Sequence, residues 1–146
     1  MLKFSGIATG QQIWDWMEHE LENAFATDPE KRFGGWVIRF NGMQVNFTIK
    51  KDKGKRVNWI KINKQPIDLS KKYSFIACER DGDPDTTLCR MEGVTTTKIG
   101  ITLHKVIEDY LKEFSPIAPK VEDRCTATDA PHDLLTQLMG VGYEFK

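Results

Sequence analysis

Residues 34–85 read GGWVIRFNGMQVNFTIKKDKGKRVNWIKINKQPIDLSKKYSFIACERDGDPD: four strand-like runs joined by short turns, ending in a loop dense in Asp, Gly and Arg. The first predicted strand is Trp36–Phe40, and Asn41-Gly42 follows it. Asn-Gly between two extended runs predicts a tight hairpin, because a type I′ turn needs positive φ at both central residues. The second strand, Met43 to Lys50, alternates cleanly, with Met43, Val45, Phe47 and Ile49 on one face and Gln44, Asn46, Thr48 and Lys50 on the other. A period of two predicts a half-buried antiparallel strand. A charged turn leads to a third strand, Arg56 to Ile62. Gln65-Pro66 cannot continue a central ladder, since proline has no N–H to donate. The fourth strand, Tyr73 to Cys78, opens into Arg80-Asp81-Gly82-Asp83-Pro84-Asp85.

Upstream, Met1 to Ala8 is short and apolar and could form a strand. Thr9 is a plausible helix N-cap. From Gly10 to Ala26, Ile13, Trp16, Met17, Leu21 and Ala24 recur at helical spacing and make one apolar stripe. Glu18, Glu20 and Glu22 fall on other faces, which predicts a solvated acidic side, and Asp28-Pro29 ends the helix. Downstream, residues 86–97 read as a loop and a short edge strand. A second helix starts at Gly100 or Thr102 and runs to Phe114, with Leu103, Val106, Ile107, Tyr110, Leu111 and Phe114 in its stripe; Ser115-Pro116 stops it. Asp129 reads as an N-cap with Pro131 in the first turn of a short helix through Leu134, Leu135 and Leu138 that ends at Gly140. The tail 141–146 carries two aromatics and is expected to dock on the fold. The expectation is a single α+β domain over 1–146: a mainly antiparallel sheet with two long helices packed on it, burying Trp16, Phe47, Tyr110 and Phe114.

Composition narrows the function classes. The 146 residues carry 21 Lys+Arg and 21 Asp+Glu, a formal net charge of zero, which removes the usual electrostatic argument for a nucleic-acid partner. Lys50 to Arg56 holds five basic residues, but with Asp52 and Gly54 among them it reads as a solvated hairpin tip. No apolar run approaches the ~20 residues needed to span a bilayer, and no leader pattern is visible at Met1. Cys78, Cys89 and Cys125 are odd in number: one pair could bridge, or all three could be reduced. No two Cys or His stand at metal-ligand spacing, and neither a phosphate-binding glycine loop nor a nucleophile elbow is present. Glu79, Asp81, Asp83 and Asp85 could serve acid–base chemistry or hold a hard cation, but Pro84 and the lack of the further calcium-loop ligands argue against calcium.

Four segments together resemble the C-terminal domain of the 5′-nucleotidase / metallophosphoesterase family, which includes UDP-sugar hydrolases, ecto-5′-nucleotidases and thiosulfohydrolases. Thr9-Gly10-Gln11-Gln12-Ile13 with Trp16-Met17-Glu18 is similar to the family's TG-x-Q helix. Gly35-Trp36 through Val45 resembles its glycine–aromatic hairpin. Arg56-Val57 to Pro66-Ile67, then Tyr73, and finally Pro119 to Arg124 (PKVEDR) resemble its later segments. The likeness spans about residues 9 to 125, the later part of that domain. It implies a substrate-binding, specificity-setting unit that works with an N-terminal metallophosphoesterase domain of the same polypeptide. That domain would hold two divalent metals and do the hydrolysis, leaving no cofactor in this chain. A nucleotide or nucleoside-like small molecule is the implied ligand, and a periplasmic or extracellular setting the implied location. By position, the resemblance puts Trp36 where the first of two aromatics that stack on the substrate's base sits. The second aromatic is missing near Glu79 and Arg80, and the family's following GGDG loop is reduced to Asp81-Gly82-Asp83-Pro84. Arg80 could replace the lost ring by planar stacking. Trp36, Arg80, Asp81 and Asp83 are therefore the expected substrate contacts, with no catalytic and no metal-binding residue. The altered loop leaves an alternative: a non-catalytic binding or interaction module that keeps the fold without the nucleotide site.

Overall fold

The computed structural model describes residues 2–33, 37, 39–78, 82–120 and 122–130. Its elements in chain order are β1 (Leu2–Thr9), α1 (Gly10–Phe25), β2 (Met43–Phe47), β3 (Val57–Ile62), β4 (Gln65–Pro66), β5 (Lys72–Cys78), β6 (Thr95–Thr102), α2 (Leu103–Phe114) and β7 (Cys125–Ala127). The class is α+β, as expected, but the strands form two sheets instead of one. One has the order β5-β1-β6 and the other β4-β3-β2-β7. All pairings are antiparallel except β2 with β7. β5 leaves its sequence neighbours and pairs with β1, from Lys3↔Cys78 to Thr9↔Lys72.

Helix α1 is the wedge between the sheets. Thr9 caps it, its hydroxyl accepting from the Gln12 amide while the Gln12 side chain accepts from the Thr9 amide. The helix's stripe divides between two apolar clusters. Ile13 packs with Ala8, Leu88, Met91 and Val94 under the three-stranded sheet. Met17 and Leu21 pack with Val45, Phe47, Val57 and Ile60 of the four-stranded one. The alternation read along β2 holds: Val45 and Phe47 point into this core.

The acidic side of α1 is not solvated. Glu18 and Glu20 are buried. Glu18 accepts from the backbone N–H groups of Arg56 at 3.0 Å and Val57 at 2.7 Å, where β3 begins. Arg56, read as part of a solvated tip, is buried too. Its guanidinium pairs with Glu22 and donates to the carbonyls of Ile49 and Phe25. Charges leave water only when paired and hydrogen-bonded, and long-range partners supply both conditions here.

Three further expectations change. Residues 37, 39 and 40 form no strand, because both edges of β2 are already taken, by β3 and by β7. Gly42 sits at φ 79° just before β2, and none of the described residues 37, 39 and 40 pairs with that strand. Helix α2 begins after a Thr102 cap, at the later of the two expected starts, yet buries no residue; Tyr110 and Phe114, expected to be buried, are 51% and 53% exposed. Trp16 is half-buried, whereas Phe47 is buried as expected. Asp129 has a carboxylate that accepts from the amides of Ile49 and Lys50, tying the end of β7 to the β2–β3 turn. The Ile49 amide, foremost, holds its pKa below the usual carboxylate value. The helix expected from Pro131 and the tail lie outside the described residues.

Gly10 shows why the Thr-Gly pair opens α1. Its amide donates to the Lys71 carbonyl and that of Gln11 to Leu69, so the 68–71 turn lies directly on the helix start. A Cβ at Gly10 would stand 2.1 Å from the Asp68 carbonyl oxygen, a backbone atom that cannot rotate away. Helix propensity alone favours Gly10→Ala by about 1 kcal/mol. The forced backbone shift costs about 1–3 kcal/mol and outweighs it. Gly10→Ala is expected to lower the urea midpoint with an unchanged slope; a raised midpoint would show that this close approach is absent.

Candidate functional site

A cavity of about 310 Å³ opens between the start of β2, the end of β3, β5 and the face of α1. That size lies at the lower end of small-molecule sites. Its walls include Trp16, Phe40, Met43, Tyr73, Phe75 and Met91, while Arg39, Asn41, Asn63 and Ser74 line it as exposed polar groups. The arrangement is an apolar slot with a polar lip.

Local geometry shapes that lip. Asn63, at φ 50° in the turn between β3 and β4, donates its amide to the Gly42 carbonyl at 3.1 Å. Asn tolerates the left-handed region better than most residues. The Asn41 side chain accepts from the Gly42 amide at 2.9 Å. Arg124, in the PKVEDR segment, donates its guanidinium to the Phe40 carbonyl, and its own carbonyl accepts from the Val45 amide at 2.8 Å. The late motif thus clamps the chain beside the cavity.

The far wall comes from residues read as plain loop. Leu88 and Met91 exchange both backbone hydrogen bonds across a two-residue turn, at 3.0 Å each. Cys89 at φ 56° and Arg90 at φ 66° occupy its centre, a conformation costing roughly 1–2 kcal/mol per non-glycine residue. Burial of Leu88 and Met91 offsets that cost. So does a bond from the Trp16 indole N–H to the Cys89 carbonyl at 2.9 Å. Arg90 makes a two-pronged pair with Glu20, whose side chain is only 1% exposed. Sequence reading missed this wall. The only signal for it was the run of apolar residues among the turn-formers.

Of the four residues expected to contact substrate, Trp36, Arg80 and Asp81 lie outside the described residues. Asp83 is described and does not line the cavity, but one of its carboxylate oxygens is buried without a hydrogen-bond partner among the described residues. The chain on either side of the expected residues does converge: Arg39 and Phe40 follow Trp36, Phe75 to Ala77 precede Arg80, and both stretches line this cavity. Among the described residues no group of three His, Cys, Asp or Glu could hold a metal ion.

The wedge-helix fold and this cavity define an α+β domain with one small apolar slot beside its central helix. Residues 5–78, slightly more than half of the chain, match the family described as 5′-nucleotidase, C-terminal domain, and the chain belongs to that family. It is similar to the sulfate thiohydrolase SoxB of Thermus thermophilus, solved in complex with glycerol, at a TM-score of 0.68 and 19% identity over 91% of this chain and 23% of that one. It is also similar to a 5′-nucleotidase precursor from Thermus thermophilus, at a TM-score of 0.66 and 19% identity over 89% of this chain and 26% of that one. The shared feature is the fold, and the chain spans about a quarter of the length of either structure. No curated protein matches the sequence.

The Arg90–Glu20 pair can be tested directly. Arg90→Ala leaves a buried carboxylate alone and is expected to cost about 3 kcal/mol, the low end for a broken buried pair because Arg90 is partly exposed. Adding Glu20→Gln should recover part of the loss in urea denaturation. No recovery would mean that Arg90 acts by packing alone.

Proposed function

We propose that this chain is the substrate-binding part of a 5′-nucleotidase-like phosphoesterase that acts on nucleotides or related phosphate esters. The metal-bearing catalytic domain then lies elsewhere in the same polypeptide, in the periplasm or outside the cell. The observation that carries the reading is the convergence of residues 39–43 and 73–77 on one apolar slot with an amide-bearing lip. In this reading Trp36 and Arg80 offer flat surfaces for a planar base, a contact worth about 1–3 kcal/mol per base on stacking platforms. Asp81 and Asp83 accept hydrogen bonds from its polar edge or from a sugar hydroxyl.

With one aromatic in place of two, affinity for adenosine or AMP is expected near millimolar, about −4 kcal/mol. Titration followed by intrinsic fluorescence and by amide chemical shifts reads it, and Trp36→Ala should abolish the saturable change. No saturable shift in the wild type up to about 10 mM, ten times the expected constant, would reject the site.

The 146-residue chain on its own is expected to release no phosphate from AMP or UDP-glucose with manganese or zinc added. Two-metal hydrolysis needs a ligand cluster, and the described residues have none. Metal-dependent turnover by the pure chain would overturn the division of labour.

A further inference from the structure

Phe33, Trp59 and Leu69 aside, the large hydrophobic side chains that the described residues leave exposed lie on β1, β5, β6 and α2 and at Ile117 just after it. Phe33 and Trp59 are each met by a cation, Arg90 at 5.6 Å and Lys61 at 4.7 Å from the ring centroid. Helix α2 concentrates the rest. Ile107, Tyr110, Leu111 and Phe114 lie on one stripe at 43% to 53% exposure, and the Tyr110 and Phe114 rings touch at 4.8 Å between centroids. The opposite side of the helix is electrostatically complete, because Lys105 pairs with Asp109 and Lys112 with Glu108. A 12-residue helix is marginal in water without a packed face, and a contiguous apolar stripe of this kind marks an interface.

The chain itself carries a segment that fits. In sequence, Leu134, Leu135, Leu138 and Met139 recur at helical spacing, with Thr136 and Gln137 on the opposite side, and Tyr143 and Phe145 follow Gly140. This segment leaves the described chain at Ala130, just after Asp129, whose carboxylate is held by the Ile49 and Lys50 amides. The four-stranded sheet it leaves offers no apolar seat. One face is filled by α1, whose Met17 and Leu21 pack on Val45, Phe47 and Ile60. The other is a polar ladder: Asn58 donates to Asn46 at 2.8 Å, Asn46 to Thr126 at 3.1 Å, and the Thr48 and Thr128 hydroxyls meet at 2.7 Å. Leucines laid on that ladder would take its polar groups out of water without replacing their partners. Laid on α2, they cover apolar groups alone. Residues 115–124 join α2 to β7, so the segment and α2 stay tethered at high effective concentration. We propose that residues 131–146 dock on α2, with Leu134, Leu135, Leu138 and Met139 covering the stripe of Ile107, Tyr110, Leu111 and Phe114. This goes beyond the reading of the cavity and does not rest on it.

Nuclear Overhauser contacts in the wild-type 146-residue chain decide the proposal. The methyl groups of Leu135 and Leu138 should contact the rings of Tyr110 and Phe114. Amide hydrogen exchange supplies a second arm. Leu135→Gln/Leu138→Gln should speed exchange of residues 103–114 on the order of a hundredfold, while β2 and β3 stay as protected as in the wild type. Leu111→Gln/Phe114→Gln should speed exchange of residues 134–139 by a similar factor, since coupling between two packed segments is reciprocal. Contacts from the two leucines to Trp14 or Phe25 instead, or to no aromatic ring, would overturn the proposal. So would exchange of residues 103–114 that the leucine substitutions leave unchanged. Light scattering that shows a dimer split by Leu111→Gln/Phe114→Gln would also overturn it, making a second copy the occupant. The Overhauser contacts are read in the wild type, so a variant that fails to fold leaves the proposal open to refutation.

Discussion

The paired carboxylates of α1 set the position of almost everything else. Glu18 takes the two amides at the start of β3, Glu22 neutralises Arg56, and Glu20 holds Arg90. These contacts fix the helix against the four-stranded sheet on one side and against the 88–91 turn on the other. Buried ion pairs add little over well-packed apolar groups of the same shape, but losing one partner is expensive. Their contribution is placement. A helix sliding one turn along its apolar stripe would keep much of its hydrophobic contact and strand three carboxylates and two guanidinium groups. The cavity lies where that placement brings Trp16 against the Cys89 carbonyl.

Local signals were readable in the chain, and their partners were not. Thr9 announced the start of α1, Gly100 and Thr102 bracketed that of α2, and alternation gave β2 its inward face. The pairing of β1 with β5 joins residues such as Lys3 and Cys78, and nothing local distinguishes it from β5 pairing with its nearer neighbours. Periodicity shows that one face of a helix is apolar without showing what lies against it. The same pattern describes α1, wedged between two sheets, and α2, which buries nothing. The glutamates of α1 failed for a related reason. Three acids on a helix read as a wet face unless Arg56 and Arg90, tens of residues away, are known to reach them. At the candidate site, Asp83, the one described residue among the expected contacts, does not line the cavity, whose walls came instead from Trp16, assigned to the core, and from Met91, assigned to a loop.

The segments that resemble the family turn out to hold the scaffold together. Thr9 and Gln12 cap the helix, and Gln12 also donates to the Gly93 carbonyl at 2.9 Å. Gly10 admits the Asp68 carbonyl, Arg56 and Val57 receive Glu18, and Arg124 holds Phe40. None of these contacts needs a ligand to explain it. A chain can therefore keep every one of them while the groups that face the slot change, which fits a fold found both in a 5′-nucleotidase precursor and in a sulfate thiohydrolase. The side chains left open to such change are those that line the slot's exposed lip, Arg39 and Ser74 among them.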